Sequence, residues 1–336
     1  MRGAPSTWNG RILLLMVRMT VLASGSKGNS TVVSSSRTRI LVDAGVSCRE
    51  LFKRMQLAGE DPRTLDAILI THEHQDHVQG LAVTARKLRI PVYFTEPTHR
   101  AWMRWMTPRK RMTYADWLAQ RKQQAELRAA PVNPEIDDRE AFEEEQESLT
   151  ASCSEAQAKQ EPKCEADPCA LPGVEYFCAG QGFSIGDIAV TPFTIPHDAA
   201  DPVGFVFEAE GVRIGLATDL GYMPAHAAMR LRRCDVLMLE SNHDLEMLRD
   251  GPYPWSVKQR VMSRVGHLSN RAAAQFLENS YDGQAAYVVL AHLSESNNLP
   301  ELARISAERA LRDHMSLLSN KLLLATQGAP LESITL

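Results

Sequence analysis

A cluster of histidines and acids near residue 72 constrains the chain more than any other feature. The motif His72-x-His74-x-Asp76-His77 follows an apolar run at residues 65–70, with Thr71 between them, and this run predicts a strand. Two imidazoles at a spacing of two lie on one side of an extended segment, and the loop beyond can turn Asp76 and His77 towards a second position. Because neutral imidazole and carboxylate suit zinc, manganese or iron, the cluster predicts a metal site at a strand end.

Three more side chains that can bind a metal stand at the ends of predicted strands. They are His197, Asp219 and His292, after predicted strands at residues 190–196, 213–218 and 287–291. Each alone is more often an ordinary polar residue than a ligand. Together they repeat one arrangement, a strand followed by a metal-capable side chain and a turn, which indicates that they complete the same site.

The pattern of apolar residues predicts a layered α/β protein. Strand-like runs alternate with helix-like stretches, and Ser47 with Glu50 forms a capping box that starts a helix ending near residue 57. The composition, 44% hydrophobic and 23% charged, is that of a globular chain. No apolar run reaches the roughly 18 residues needed to span a bilayer, so we expect no membrane contact and a cytoplasmic location.

Two segments are expected to lie outside the folded domain. Residues 1–18 contain only a short apolar run that Arg18 ends, which predicts an N-terminal extension and makes Met19 a candidate natural start. Residues 107–173 form a charged insertion that we expect to be largely disordered, because it has few apolar side chains to offset its ordering entropy. Within it, residues 131–167 carry a net charge of −9 against −4 for the whole chain. A solvated loop is the favoured interpretation, and binding of a protein partner is the alternative.

In their order along the chain, these residues resemble the metallo-β-lactamase superfamily. The resemblance covers residues 19–106 and 174–336 and implies a four-layer αββα sandwich, classed as α/β or in some schemes α+β. It also implies two divalent ions, zinc or manganese, at one edge of the two sheets. By position, His72, His74 and His197 would hold one ion, Asp76, His77 and His292 the other, and Asp219 would bridge both. Asp43 resembles the buried acid that orients the histidine loop in this family.

A narrower resemblance, to the YycJ/WalJ-type branch, implies a DNA exonuclease that degrades from the 5′ end. It rests on the loop at residues 24–30, on Thr218-Asp219-Leu220-Gly221, and on the motifs around Asn242, His267 and His292. The residues then expected to contact substrate are Ser24, Ser26, Asn29, Asn242, His243 and His267. The glycine-rich loop can form an anion nest, although a tight turn between strands explains it equally well. His267 precedes a predicted helix N-terminus, where a phosphate can bind.

The predicted reaction is metal-dependent hydrolysis. Two ions can share a hydroxide and stabilise charge on a phosphoryl oxygen, with Asp76 and Asp219 as the catalytic carboxylates. The body of the chain carries +5, which agrees with a nucleic acid substrate, DNA before RNA. The alternative is hydrolysis of a small thioester, lactone or other ester on the same site. A metal-stabilised interaction protein is a third hypothesis, which the open ligand set disfavours.

Overall fold

The computed structural model of the protein describes residues 16–107, 117–118, 121–122, 169–312 and 321–336. Contacts divide the chain into one compact unit of Met1–Met106 with Pro168–Leu336, and a second unit, Thr107–Asp167. The disorder expected in the insertion falls almost wholly outside the described residues. No helix in the described part of the chain is both long and apolar enough to cross a membrane.

The first unit contains two seven-stranded sheets. In the first sheet the spatial order is β14-β1-β2-β3-β4-β5-β6. Its strands are β1 (Arg18–Ala23), β2 (Ser30–Ser34), β3 (Arg39–Val42), β4 (Ala67–Leu69), β5 (Val92–Phe94), β6 (Val174–Tyr176) and β14 (Ile334–Thr335). The pairs from β14 to β3 are antiparallel, and those from β3 to β6 are parallel.

The second sheet repeats this division. Its order is β13-β12-β11-β10-β9-β8-β7. Its strands are β7 (Phe183–Ile185), β8 (Ile188–Thr194), β9 (Val203–Ala209), β10 (Val212–Ala217), β11 (Val236–Glu240), β12 (Tyr287–Ala291) and β13 (Lys321–Leu324). The pairs from β7 to β10 are antiparallel, and those from β10 to β13 are parallel. Parallel strands need crossovers, so most of the helices lie in these connections.

Nine α-helices join the strands in the first unit's described residues. They are α1 (Cys48–Leu57), α2 (Gln75–Val78), α3 (Leu81–Leu88), α4 (Glu96–Met106), α5 (Ala225–Arg230), α6 (Leu245–Asp250), α7 (Trp255–Val261), α8 (Asn270–Asn279) and α9 (Pro300–Leu311). The predicted capping box begins α1, since the hydroxyl of Ser47 accepts from the N–H of Glu50 at 3.3 Å. The sequence of residues 300–317 also predicts a helix, with Pro300 in its first turn. The structure describes this helix, α9, to Leu311, and β13 follows at Lys321.

Three buried clusters separate four layers. In β3, Ile40 and Val42 face the second sheet, whereas Leu41 faces the helices on the outside, as the alternation of a strand requires. One outer cluster packs α1, α3 and α4 on the first sheet, with Trp102 fully buried. The other packs α5, α8 and α9 on the second sheet, around Phe276. The predicted αββα sandwich is therefore confirmed.

The structure corrects both predicted boundaries of the folded domain. Val17 is buried, and its N–H donates to the carbonyl of Leu336 at 3.1 Å. Arg18 begins β1 and is in register with Thr335 of β14. The prediction that residues 1–18 lie outside the fold is therefore wrong for the last two of them. At the other boundary, Leu171 packs against the first sheet's outer core, so the end of the insertion predicted at residue 173 falls too late.

Candidate metal centre

The carboxyl ends of the strands in both sheets meet at one edge, where the predicted ligands come together. Asp43 follows β3, Asp219 follows β10 and His292 follows β12, with φ angles of 60°, 63° and 56°. A left-handed backbone at a residue other than glycine costs of order 1–3 kcal/mol and persists only where the surroundings impose it. Three such residues at one edge mark it as a site where side-chain direction is fixed at the expense of backbone strain.

His72, His74 and His197 form the first group of metal-capable side chains. Nδ1 of His74 lies 3.3 Å from Nε2 of His197, and Nε2 of His72 is buried without a hydrogen-bond partner among the described residues. The rings of His72 and His197 are 5.0 Å apart. Two of the three nitrogens thus nearly touch, and the third is buried in an environment that offers it no donor.

In His74 and His197, the hydrogen bond made by one ring nitrogen shows which nitrogen of the ring keeps its lone pair. Nδ1 of His197 lies 3.0 Å from the carbonyl oxygen of Gly266, and Nε2 of His74 lies 3.2 Å from that of Asp198. Each of these nitrogens must carry the proton, because a carbonyl oxygen only accepts. The remaining nitrogens, Nε2 of His197 and Nδ1 of His74, therefore keep their lone pairs. These two lone pairs face each other, which is the arrangement a shared cation requires.

Asp76, His77 and His292 form the second group. Oδ2 of Asp76 lies 3.6 Å from Nε2 of His77 and 3.5 Å from Nε2 of His292. The latter nitrogen is buried and has no hydrogen-bond partner in the part of the chain that the structure describes. Nδ1 of His77 donates to Asp43 at 2.8 Å, so Nε2 is the ring nitrogen that remains for a metal.

Asp219 lies between the two groups. Its Oδ2 is 3.3 Å from Nε2 of His77, and it also belongs to a metal-capable set with His72 and His77. This oxygen is buried and lacks a hydrogen-bond partner among the described residues. A buried carboxylate oxygen without a donor is costly unless a cation satisfies it. Together with the partnerless nitrogens of His72 and His292, it shows that this donor set fits divalent cations.

Asp43 holds the histidine loop in place, in keeping with the role that the family resemblance implies. Its Oδ1 accepts from the N–H of Thr71 at 2.9 Å, and its Oδ2 accepts from the Thr71 hydroxyl at 2.8 Å and from His77. Gly45, two residues on, packs so closely that an added Cβ would lie 1.7 Å from the carbonyl oxygen of Asp76. The strand end and the histidine loop therefore form one tightly packed unit.

Glu240 is a site residue that the sequence analysis missed. The side chain is fully buried at the end of β11, and its Oε1 accepts from Nδ1 of His267 at 2.8 Å and of His292 at 2.9 Å. Its Oε2 accepts from the N–H groups of Leu220 and Leu268. Although Asp219, Glu240, His267 and His292 also lie close enough to hold a metal, these distances are those of hydrogen bonds. We therefore assign Glu240 to orienting two histidines. Its position at a strand end was the available signal.

Electrostatics favour cations at this edge. Burial raises the pKa of a carboxyl, yet the pKa of Asp219 is held well below its ordinary value by His292 and His77, and that of Glu240 falls to about 2 beside His267. Burial lowers the pKa of an imidazole, yet Asp219 and Glu240 raise that of His292 to about 10. A metal that binds His292 must displace this proton, so its affinity falls at low pH.

The residues predicted to contact substrate divide into two sets. Four of them, Ser24, Asn29, Asn242 and His243, are buried. The hydroxyl of Ser24 accepts from the N–H of His292 at 2.7 Å, and the amide of Asn242 donates to the His292 carbonyl at 2.8 Å. Asn29 bridges its own loop to His77, with 3.0 Å between Nδ2 and Nε2. Ser24, Asn29 and Asn242 thus contact the ligands His77 and His292, and the expectation that the four residues face substrate does not fit their burial.

Two of the predicted substrate contacts reach solvent. Ser26 is exposed in the loop after β1, and His267 keeps about a fifth of its side chain, 21%, accessible. The His267 ring lies 5.1 Å from the rings of both His197 and His292. His99 lies outside this edge, in α4, where it is buried and shares a hydrogen bond of 2.8 Å with the Tyr176 hydroxyl.

Comparison with known proteins agrees with this architecture. A family model described as the metallo-beta-lactamase superfamily matches residues 23–280. Exodeoxyribonuclease YycJ of Bacillus anthracis is 32% identical over 300 residues, which cover 88% of this chain and 90% of the relative. Exodeoxyribonuclease WalJ of Streptococcus pneumoniae serotype 2 (strain D39 / NCTC 7466) is 30% identical over 289 residues, which cover 86% of each chain.

Solved structures show the same fold at low sequence identity. The metallo-beta-lactamase fold protein YhfI from Bacillus subtilis has a TM-score of 0.57 at 14% identity, over 94% of this chain and 99% of that one. The short form of human tRNase Z has a TM-score of 0.52 at 14% identity, over 94% and 98%. The family model matches well over half of the sequence and both named relatives align along most of it, so the chain belongs to the metallo-β-lactamase superfamily.

Proposed function

We propose that the protein is a binuclear metal-dependent phosphodiesterase that acts as a DNA exonuclease in the 5′ to 3′ direction. The observation that carries the hydrolytic part is the convergence of two ligand groups on Asp219, with three buried donor atoms left without partners. The DNA substrate is supported by the two relatives named as exodeoxyribonucleases, at 32% and 30% identity. The direction of degradation is proposed from the resemblance described above.

We propose two metal positions on the basis of these ligand sets. His72, His74 and His197 would hold one ion, Asp76, His77 and His292 would hold the other, and Asp219 would contact both. We propose zinc or manganese, since both accept mixed imidazole and carboxylate ligands. Bound there, the pair of ions would activate a water molecule and stabilise charge on the phosphoryl oxygens.

Asp76 is the residue best suited to receive a proton from the attacking water. Its side chain is 22% exposed, whereas those of Asp43, Asp219 and Glu240 are buried to within a few per cent. Only a carboxylate that meets both the ligand cluster and solvent can pass a proton between them. Asp76 therefore combines the roles of ligand and proton acceptor.

His267 is the candidate for the opposite proton transfer, to the leaving oxygen. Its Nδ1 donates to Glu240, which fixes the ring, and in the imidazolium form Nε2 carries the second proton, the one that would pass to the leaving oxygen. The ring adjoins one histidine of each ligand group, at 5.1 Å from His197 and from His292. A phosphodiester bound between the groups would thus have a positioned imidazole beside it.

The decisive assay offers 5′-phosphorylated, 3′-labelled single- and double-stranded oligonucleotides to the purified protein with manganese or zinc. We expect stepwise shortening from the 5′ end and complete loss of activity with a chelator, because the ligand cluster alone supplies no hydrolytic group strong enough. An Asp219→Asn protein prepared in parallel controls for a contaminating nuclease. Intact oligonucleotides together with hydrolysis of a lactone or thioester would contradict the proposal and favour a small-ester hydrolase.

A further inference from the structure

Arg260 and Asp198 form an ion pair at the rim of the ligand cluster. Nε of Arg260 lies 2.5 Å from Oδ2 of Asp198, and the two side chains are 61% and 27% exposed. Asp198 directly follows the ligand His197, and its other carboxylate oxygen, Oδ1, lies 3.4 Å from Nε2 of His197. One carboxylate therefore joins Arg260 to the nitrogen that is proposed to bind the first ion.

Backbone hydrogen bonds hold Asp198 in place on both sides. Its N–H donates to the carbonyl of Val265 at 3.0 Å, and its carbonyl oxygen lies 3.2 Å from Nε2 of His74. Because both groups are bound, the backbone of Asp198 is fixed relative to the histidines of the first ligand group. The carboxylate of Asp198 is thus a positioned acceptor for Arg260.

Arg260 itself lies in the last turn of α7, next to the segment that carries His267. The N–H of His267 donates to the carbonyl of Val261, one residue after Arg260, at 2.9 Å. Gly266 packs so closely on the end of α7 that an added Cβ would lie 2.3 Å from the carbonyl oxygen of Arg260. The end of α7 and the segment of His267 therefore form one packed unit, which fixes the backbone of Arg260 beside that of the candidate proton donor.

Two guanidinium nitrogens of Arg260 remain available. In the part of the chain that the structure describes, Arg260 donates its side-chain hydrogen bond through Nε, and neither Nη1 nor Nη2 has a partner. The hydrogen bond to Asp198 raises the pKa of Arg260, and the charges of Asp198 and Asp76 raise it further. Since Asp76 belongs to the second ligand group, the guanidinium lies within electrostatic reach of both groups. A planar cation with unused N–H groups suits a phosphate, which it can bind through two parallel hydrogen bonds.

We propose that Arg260 binds the non-bridging oxygens of the phosphodiester that is cut, and that Asp198 positions its guanidinium for this contact. The inference rests on the proposed nuclease function and names the side chain that binds the charged centre of the substrate beside the ions. Asp198 acts through Arg260 and is a positioning residue. An exposed ion pair without this role adds little to stability and has no effect on catalysis, so the two interpretations predict different results.

The test compares metal-loaded full-length variants on a 5′-phosphorylated oligonucleotide. For Arg260→Gln we expect kcat/KM to fall about 10- to 100-fold, because hydrogen bonds to a charged group are lost, while metal content and the circular dichroism spectrum stay as in wild type. The slope of log kcat/KM against log salt concentration should fall by about one unit, since one phosphate contact is removed. Arg260→Lys keeps the charge without the planar fork, and it should restore the salt slope but only part of the rate.

A double variant separates a phosphate contact from simple neutralisation of Asp198. If Arg260 contacts the phosphate, Asp198→Ala/Arg260→Gln should be as slow as Arg260→Gln, because the contact is missing from both proteins. Recovery of the double variant to the wild-type rate would show that Arg260 only masks a carboxylate that repels the strand, and would overturn the inference.

The matched control is an exposed arginine that also pairs with a carboxylate, but at the other end of the sheet. Arg63 is 85% exposed, lies 2.9 Å from Asp61 and precedes β4, whereas the ligands follow that strand. Arg63→Gln changes the net charge by the same amount and should keep the wild-type rate and salt slope. An equal effect of Arg63→Gln and Arg260→Gln would contradict a specific contact.

Failure of this inference and failure of the nuclease function give different results. Wild-type protein that leaves DNA intact contradicts the function, and the assignment of Arg260 falls with it. Wild-type protein that degrades DNA, together with an Arg260→Gln protein of wild-type kcat/KM and salt slope, contradicts the assignment of Arg260 alone.

Discussion

Asp219→Ala is expected to lower hydrolysis by about a thousand-fold or more and to remove most of the bound metal. Its carboxylate lies 3.3 Å from Nε2 of His77, in one ligand group, and forms a metal-capable set with His72 of the other. Stabilisation of transition-state charge by a bound ion amounts to several kcal/mol, and each 1.4 kcal/mol is about tenfold in rate. The measurements are kcat/KM and the metal content by plasma mass spectrometry. The metal content should fall from about two ions per chain to fewer than one.

A companion variant separates metal loss from unfolding. Asp219 has a φ of 63°, a conformation that asparagine adopts readily and alanine does not. Asp219→Asn should therefore keep a wild-type circular dichroism spectrum while it loses activity and metal. Asp61→Asn is the matched control, since Asp61 caps the short helix Pro62–Thr64 on the surface and asparagine caps as well. An Asp219→Asn protein with two ions and wild-type rates would contradict the bridging role.

Glu240→Gln is the second substitution with a large expected effect. The two carboxylate oxygens accept four hydrogen bonds, from two imidazoles and from the N–H groups of Leu220 and Leu268. Whichever way the amide turns, its NH₂ group faces two donors, and a buried charge is lost from a paired network. We expect the free energy of unfolding to fall by about 3 kcal/mol. Because His292 and His267 lose their anchor, activity or metal affinity should fall by about 10- to 100-fold.

The control for Glu240→Gln is another buried glutamate. Glu60 accepts from the Thr20 hydroxyl at 3.1 Å and pairs with Arg18 at 3.2 Å, at the opposite end of β1 from Ser24. Glu60→Gln should lower the urea midpoint but leave the kcat of the folded protein and its metal content unchanged. If both variants lose stability while Glu240→Gln retains wild-type kcat and metal, Glu240 is a structural residue and its orienting role is disproved.

The sequence could predict a layered α/β protein, and which side chains meet at one edge of it, for one physical reason. Strands with ordinary alternating or apolar patterns ended at residues whose chemistry had no structural use there, such as His197 and His292. Parallel strands put their carboxyl ends on one edge of a sheet, which brings these side chains together. The strands and helices predicted a layered α/β protein, whereas the αββα arrangement was implied by the family resemblance.

Other features depend on contacts that no local pattern contains. Strand β1 was missed because Arg18 ended an apolar run, and it is a strand only through pairing with β2 and with β14, more than 300 residues away. Strand β13 followed a segment that looked helical, and it pairs with β12. Similarly, the polarity of Ser24 and Asn242 suggested contact with substrate, whereas their direction, towards the backbone of His292, is set by packing. Glu240 was missed because it is the last residue of an otherwise apolar strand.

The most direct test of the account is the anomalous difference map of crystals grown with manganese. We predict two peaks per chain, one among Nε2 of His72, Nδ1 of His74 and Nε2 of His197, and one among Oδ2 of Asp76, Nε2 of His77 and Nε2 of His292. Asp219 should contact both ions. A single peak held by Glu240 and His267, or no peak within this edge of the two sheets, would contradict the proposed binuclear centre.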